Sequence, residues 1–186
     1  ITRGTLSNDD FDGEMDDASY HIESIEEKGL PVDPINAYNL FAIYLRWCIE
    51  HDLMVEDFLN EYGEVAKQVK ADPASVDLRA FIRDKLNGQI MVPMFNKIGR
   101  AFTSYYYGEP DSPNFPRDIE NYALEYLGPE KYYSDEFQFK APLFIPFDED
   151  YYQAMAKVIE ERFTNWQGQD FDEDTLEPSE VAQAIM

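Results

Sequence analysis

The stretch Asp33-Pro34-Ile35-Asn36-Ala37-Tyr38-Asn39-Leu40-Phe41-Ala42-Ile43-Tyr44-Leu45-Arg46-Trp47-Cys48-Ile49 sets the fold. Asp33 is a helix-capping residue, and Pro34 suits the first helical position, where a missing N–H leaves no bond unmade. Over residues 35–49 apolar groups fall on nearly every face, and such a helix has to be surrounded by other elements. The pattern predicts a central helix with the rest of the chain packed around it.

Working outward, residues 55–70 repeat apolar groups every three or four positions (Phe58, Leu59, Tyr62, Val65, Ala66, Val69) until Asp72-Pro73 breaks the run. Residues 77–86 place Leu78, Phe81, Ile82 and Leu86 on one face, and Asn87-Gly88 is a left-handed stop. A fourth helix is predicted from Pro93 through Phe95, Ile98, Phe102 and Tyr105, a fifth over 117–127, and a sixth over 151–166 capped by Asp148. Between the last two, residues 132–147 alternate at Phe137-Gln138-Phe139 and are punctuated by Pro142 and Pro146, which reads as a short extended or edge-strand segment. The expectation is a mainly α, single-domain bundle of about six helices. Its core spans residues 31–166, between an acidic lead-in over 1–30 and an acidic C-terminal tail over 167–186.

Charge is the strongest compositional signal. Thirty-eight Asp and Glu against 15 Lys and Arg leave a formal net charge of −23. That field repels nucleic acid and anionic membrane, and it accelerates encounter with basic proteins. Residues 65–100 run the other way, with seven bases against three acids, although Asp77 and Asp84 stand close enough to pair with their neighbours. A single cysteine, Cys48, excludes an internal disulfide and fits a reducing, cytoplasmic setting. No apolar run approaches the roughly 18 residues of a membrane span.

Chemistry-bearing motifs are few. Asn8, Asp10, Asp12, Gly13 and Asp16 occupy calcium-loop positions, yet the bidentate Glu required at the twelfth is Ser19. His21, His51 and Cys48 fall short of an ordinary zinc set. Cys48 and His51 share a helix face, but the thiol lies in an apolar run and His51 reads better as a residue at the helix C-terminus. Phosphate-binding glycine loops and nucleophile elbows are absent. No catalytic residue, metal or cofactor is therefore expected. The acidic cluster Asp9, Asp10, Asp12, Asp16 and Asp17 and the run Tyr105-Tyr106-Tyr107 are the candidate partner contacts.

Asp16-Asp17-Ala18-Ser19-Tyr20-His21 is followed by Leu30-Pro31, by Ala37, Phe41 and Trp47 on the central helix, and by His51-Asp52-Leu53. Residues 84–90, Gly99-Arg100-Ala101-Phe102, Tyr105-Tyr106 and Asp118-Ile119-Glu120 complete a series that resembles a family of small bacterial proteins. That family is marked by a DDAS-aromatic-His opening, and Tyr20 stands where its Trp is expected. The resemblance covers residues 16–122 and fades after Tyr107. It implies immunity proteins, the neutralising companions of polymorphic toxins delivered by secretion systems. The expected function is thus occlusion of a cognate basic toxin by tight binding. The alternatives are an acidic DNA-mimic inhibitor of a nucleic-acid enzyme and a carboxylate- or calcium-dependent enzyme.

Overall fold

The computed structural model describes residues 14–107 and 113–167, and within them the chain is mainly helical. Strand β1 (Glu14–Asp17) leads into helix α1 (Ser19–Lys28). The central elements are α2 (Asn39–Glu50), α3 (Glu56–Ala71) and α4 (Leu78–Lys85). Strand β2 (Gln89–Met91) follows, then α5 (Lys97–Tyr106), α6 (Phe115–Leu127), the single turn α7 (Pro129–Tyr132) and α8 (Glu149–Gln167).

Helix α2 is the buried centre. Leu40 through Leu45 and Trp47 through Ile49 are all buried, and α3, α4 and α8 surround the helix. Burying side chains of this size stabilises by about 1.5–3 kcal/mol each, which is why an all-round apolar helix organises its neighbours. Asp33 accepts a hydrogen bond from the Ile35 N–H at 3.0 Å, but the first turn, Pro34–Tyr38, is a 3-10 helix. Aromatic rings fill the space between α2, α5 and α8: Trp47, Phe102, Phe163 and Trp166 meet edge-on and tilted at 5.0–5.7 Å. Tyr44 reaches the Thr103 hydroxyl at 2.8 Å, so the phenol buried beside them is satisfied.

Several boundaries differ from the sequence expectation. Residues 14–30, read as part of a loose lead-in, form β1 and α1 and contribute Ala18, Ile25 and Leu30 to the core. The strand pairs antiparallel with β2 in the register Asp16↔Ile90 and Asp17↔Gln89. Pro93 does not open α5. It lies in the 3-10 turn Val92–Met94, and Asn96 caps α5 by accepting from the Gly99 N–H at 2.8 Å. Helix α3 is kinked at Tyr62 (φ −120°, ψ 27°), where the ring leaves the helical path to meet Phe81 edge-on at 5.1 Å.

The stretch 132–147 interrupts the helices as expected, but with turns and the 3-10 helix Ala141–Phe144 in place of a strand. Its backbone prevents strand geometry, because Gln138 and Phe139 have φ values of 47° and 63°. The residues beyond 167 expected as an acidic tail lie outside the described part. Among the described residues, no helix is long and apolar enough to cross a membrane.

Candidate functional site

Most sequence-nominated contacts do not form one site. Asp9, Asp10 and Asp12 lie outside the described residues, as does most of the calcium-loop pattern. The backbone of Asp16 is committed to the β1–β2 ladder. Asp17 works locally, accepting from the Ser19 N–H at 2.8 Å and from the Gln89 side-chain amide at 3.0 Å. Burial alone would raise its carboxyl, but these hydrogen bonds outweigh it and hold the group below the usual range. Tyr106 and Tyr107 are corrected outright, since both are buried among Tyr44 and Phe115. Consecutive helical positions point about 100° apart, and here two of the three turn inward. Tyr105 is half-buried beside Trp166.

The Cys48–His51 pair is structural as well. Cys48 is fully buried, and desolvation drives its thiol far above the ordinary value, which suppresses the thiolate. His51 ends α2 as expected: its ring stacks on Trp47 at 3.9 Å, with Nδ1 2.8 Å from the Trp47 carbonyl and Nε2 2.7 Å from Glu160. The bases expected to pair locally do so, Arg79 with Asp77 and Arg83 with Asp84. No cluster of three or more His, Cys, Asp or Glu able to hold a metal occurs among the described residues.

The structure instead draws attention to the face where α1 meets residues 132–147. Two hydrogen bonds lock the contact, Lys28 Nζ donating to the Gln138 carbonyl at 2.8 Å and the Gln138 side-chain amide donating to the Lys28 carbonyl at 3.1 Å. This clamp holds Gln138 and Phe139 in the left-handed region, which costs a bulky residue roughly 1–2 kcal/mol. Phe139 is 86% exposed, beside Tyr133 at 66%, and both line a shallow recess with Lys28 and Asp135. Nearer the start of α1, Tyr20 is 45% exposed and carries the Lys140 ammonium 4.4 Å above its ring.

Beneath Tyr20 and Lys140 lies a cavity of about 200 Å³. Leu40, Pro116, Ile119, Pro142 and Leu143 make its apolar walls, and His21 and Glu120 are its deeper polar groups. The Nδ1 of His21 is buried with no hydrogen-bond partner among the described residues. Burial, followed by the nearby Lys140 charge, lowers the imidazole to about 4. Burial raises the Glu120 carboxyl, even though it accepts a hydrogen bond from Tyr132 and feels Lys140. A second cavity, about 290 Å³ between α2 and α8, has its charges already engaged: Arg46 makes two 2.8 Å bonds to Glu149, and Arg79 lies over the Phe147 ring.

Sequence reasoning missed this face for an identifiable reason. Alternation at Phe137 and Phe139 puts both on one side of a strand, whereas the observed backbone buries Phe137 against Phe144 and turns Phe139 outward. The Tyr20-His21 pair did stand out, but as part of a motif with no chemistry attached.

The chain belongs to a family described as a domain of unknown function (DUF7832), which matches residues 14–135. No curated protein and no solved structure matches it.

Proposed function

We propose that this member of the DUF7832 family is a cytoplasmic immunity protein, which binds a cognate basic toxin one-to-one and occludes its active site. The observation that carries the reading is Phe139, a large ring held in a strained conformation and left in water. Folding gains nothing from that arrangement, whereas exposed aromatic rings are the usual anchors of a protein interface. Tyr133, exposed in the same recess, extends the apolar surface beside it. The net charge of −23 supplies long-range steering toward a basic protein, with the aromatic face providing the contact. Such a protein works by binding alone.

The test is affinity capture from the source organism's lysate with three baits: the native chain, Phe139→Ala and Tyr133→Ala. A single basic protein retained by the native chain, released by either substitution and inactivated in the stoichiometric complex is the expected result. Retention of that protein by all three baits would move the interface elsewhere. Capture of several nucleic-acid enzymes would replace immunity with DNA mimicry.

A further inference from the structure

The cavity beneath Tyr20 has features that a protein-contact role does not require. Its volume of about 200 Å³ corresponds to roughly seven waters at ~30 Å³ each. That is below the range of about 300–1,000 Å³ typical of pockets for drug-sized ligands. It suits a small metabolite.

Its polar groups are arranged as separated opposites. Glu120 gives part of its carboxylate to Tyr132, and Lys140 is held over the Tyr20 ring. The two feel each other's charge but form no ion pair. His21 adds a ring nitrogen with no partner among the described residues, and buried polar atoms of that kind are rare unless something else satisfies them. The remaining wall is aliphatic: Leu40, Ile119 and Leu143 between Pro116 and Pro142.

We propose that this cavity binds a free amino acid with an aliphatic side chain. The ligand's ammonium meets Glu120, its carboxylate meets Lys140, and its side chain packs on Leu40, Ile119 and Leu143. Neither charge of the ligand is then left unpaired in a partly buried site, and His21 Nδ1 gains a polar neighbour. A ligand with one charge would leave either Lys140 or Glu120 without its complement. The inference does not depend on the partner proposed above, since the cavity lies within this chain.

Isothermal titration calorimetry of the full chain with L-leucine tests it, alongside 4-methylpentanoate, which lacks the amine, and isoamylamine, which lacks the carboxylate. Leucine is expected to bind one-to-one, with each analogue at least about tenfold weaker, a difference of about 1.4 kcal/mol. Glu120→Gln should weaken leucine by a similar factor while leaving 4-methylpentanoate unchanged. Lys140→Met should weaken leucine and leave isoamylamine unchanged. No saturable heat from leucine up to about 10 mM, well beyond a Kd of ~1 mM, overturns the proposal. So does equal affinity for all three compounds, a comparison that needs only the native chain and so survives a variant that fails to fold. Because no protein partner is present, failure here leaves the immunity reading intact, and failure to capture a toxin leaves this one intact.

Discussion

At the scale of single residues, two kinds of buried charge give opposite expectations. Asp118 is 6% exposed and accepts from the Tyr106 hydroxyl at 2.6 Å and from Arg162 through two bonds of 3.0 Å. Removing only the guanidinium strands a buried carboxylate, so Arg162→Met should cost about 3–5 kcal/mol in urea unfolding. The double change Asp118→Leu with Arg162→Met should cost less than Arg162→Met alone, because the stranded charge goes too. His21 is the reverse case, a buried ring kept neutral. Its folded value of about 4 lies below the ordinary 6.5, so the unfolded chain binds the proton more readily between those limits. This contribution is complete above pH ~6.5 and is lost as pH falls toward 4, by about 3 kcal/mol at most. Carboxylates titrate over part of the same range, so the informative quantity is the difference between native and His21→Phe in thermal denaturation from pH 7 to 4. That difference should shift against the native chain as acid is added, and a pH-independent difference would mean that the ring is not held neutral.

At the scale of elements, Gly99 in α5 shows how closely two segments pass. A Cβ there would stand 2.5 Å from the Leu53 carbonyl oxygen and 3.0 Å from the Phe95 Cβ. Backbone cannot yield as a flexible side chain does, so Gly99→Ala should destabilise by about 1–3 kcal/mol despite alanine's better helix propensity. Circular dichroism melts would read this directly, and a neutral result would show that α5 can slide away from Leu53. The same elements show what sequence patterns could reveal. The centrality of α2, the Asp148 cap accepting from Tyr151 N–H at 2.8 Å, and the left-handed pair Asn87 and Gly88 are all local signals, and all are present. Helix α1 was obscured because its neighbours are acidic and glycine-bearing, and its core contacts come through few residues. The β1–β2 pairing joins residues more than seventy positions apart over only three register pairs, too little for alternation to register. The aromatic face depends on two positive φ angles, which no side-chain period encodes. Phe139→Gly exploits them: relief of left-handed strain should leave stability unchanged or raise it by up to about 1–2 kcal/mol, while capture of the proposed partner should be lost. A marked drop in stability would instead make the ring a folding element.

At the scale of the whole molecule, a charge of −23 on 186 residues makes two processes respond oppositely to salt. Ion pairs such as Arg46–Glu149 and Arg46–Glu50 join near neighbours and are only partly sheltered, so screening costs them little. Repulsion among the surplus carboxylates acts over longer distances, and the Debye length falls from about 30 Å at 0.01 M to 3 Å at 1 M. Stability should therefore rise with sodium chloride across that range, visible as a higher Tm. Association with a basic partner should slow over the same range, because the attractive field is screened while the aromatic contact is not. Dissociation should change far less than association, which separates steering from contact energy. A Tm that falls with salt would mean that local pairs outweigh the net field. An association rate insensitive to salt would place the acidic charge outside the recognition process, leaving the Phe139 face to carry the encounter alone.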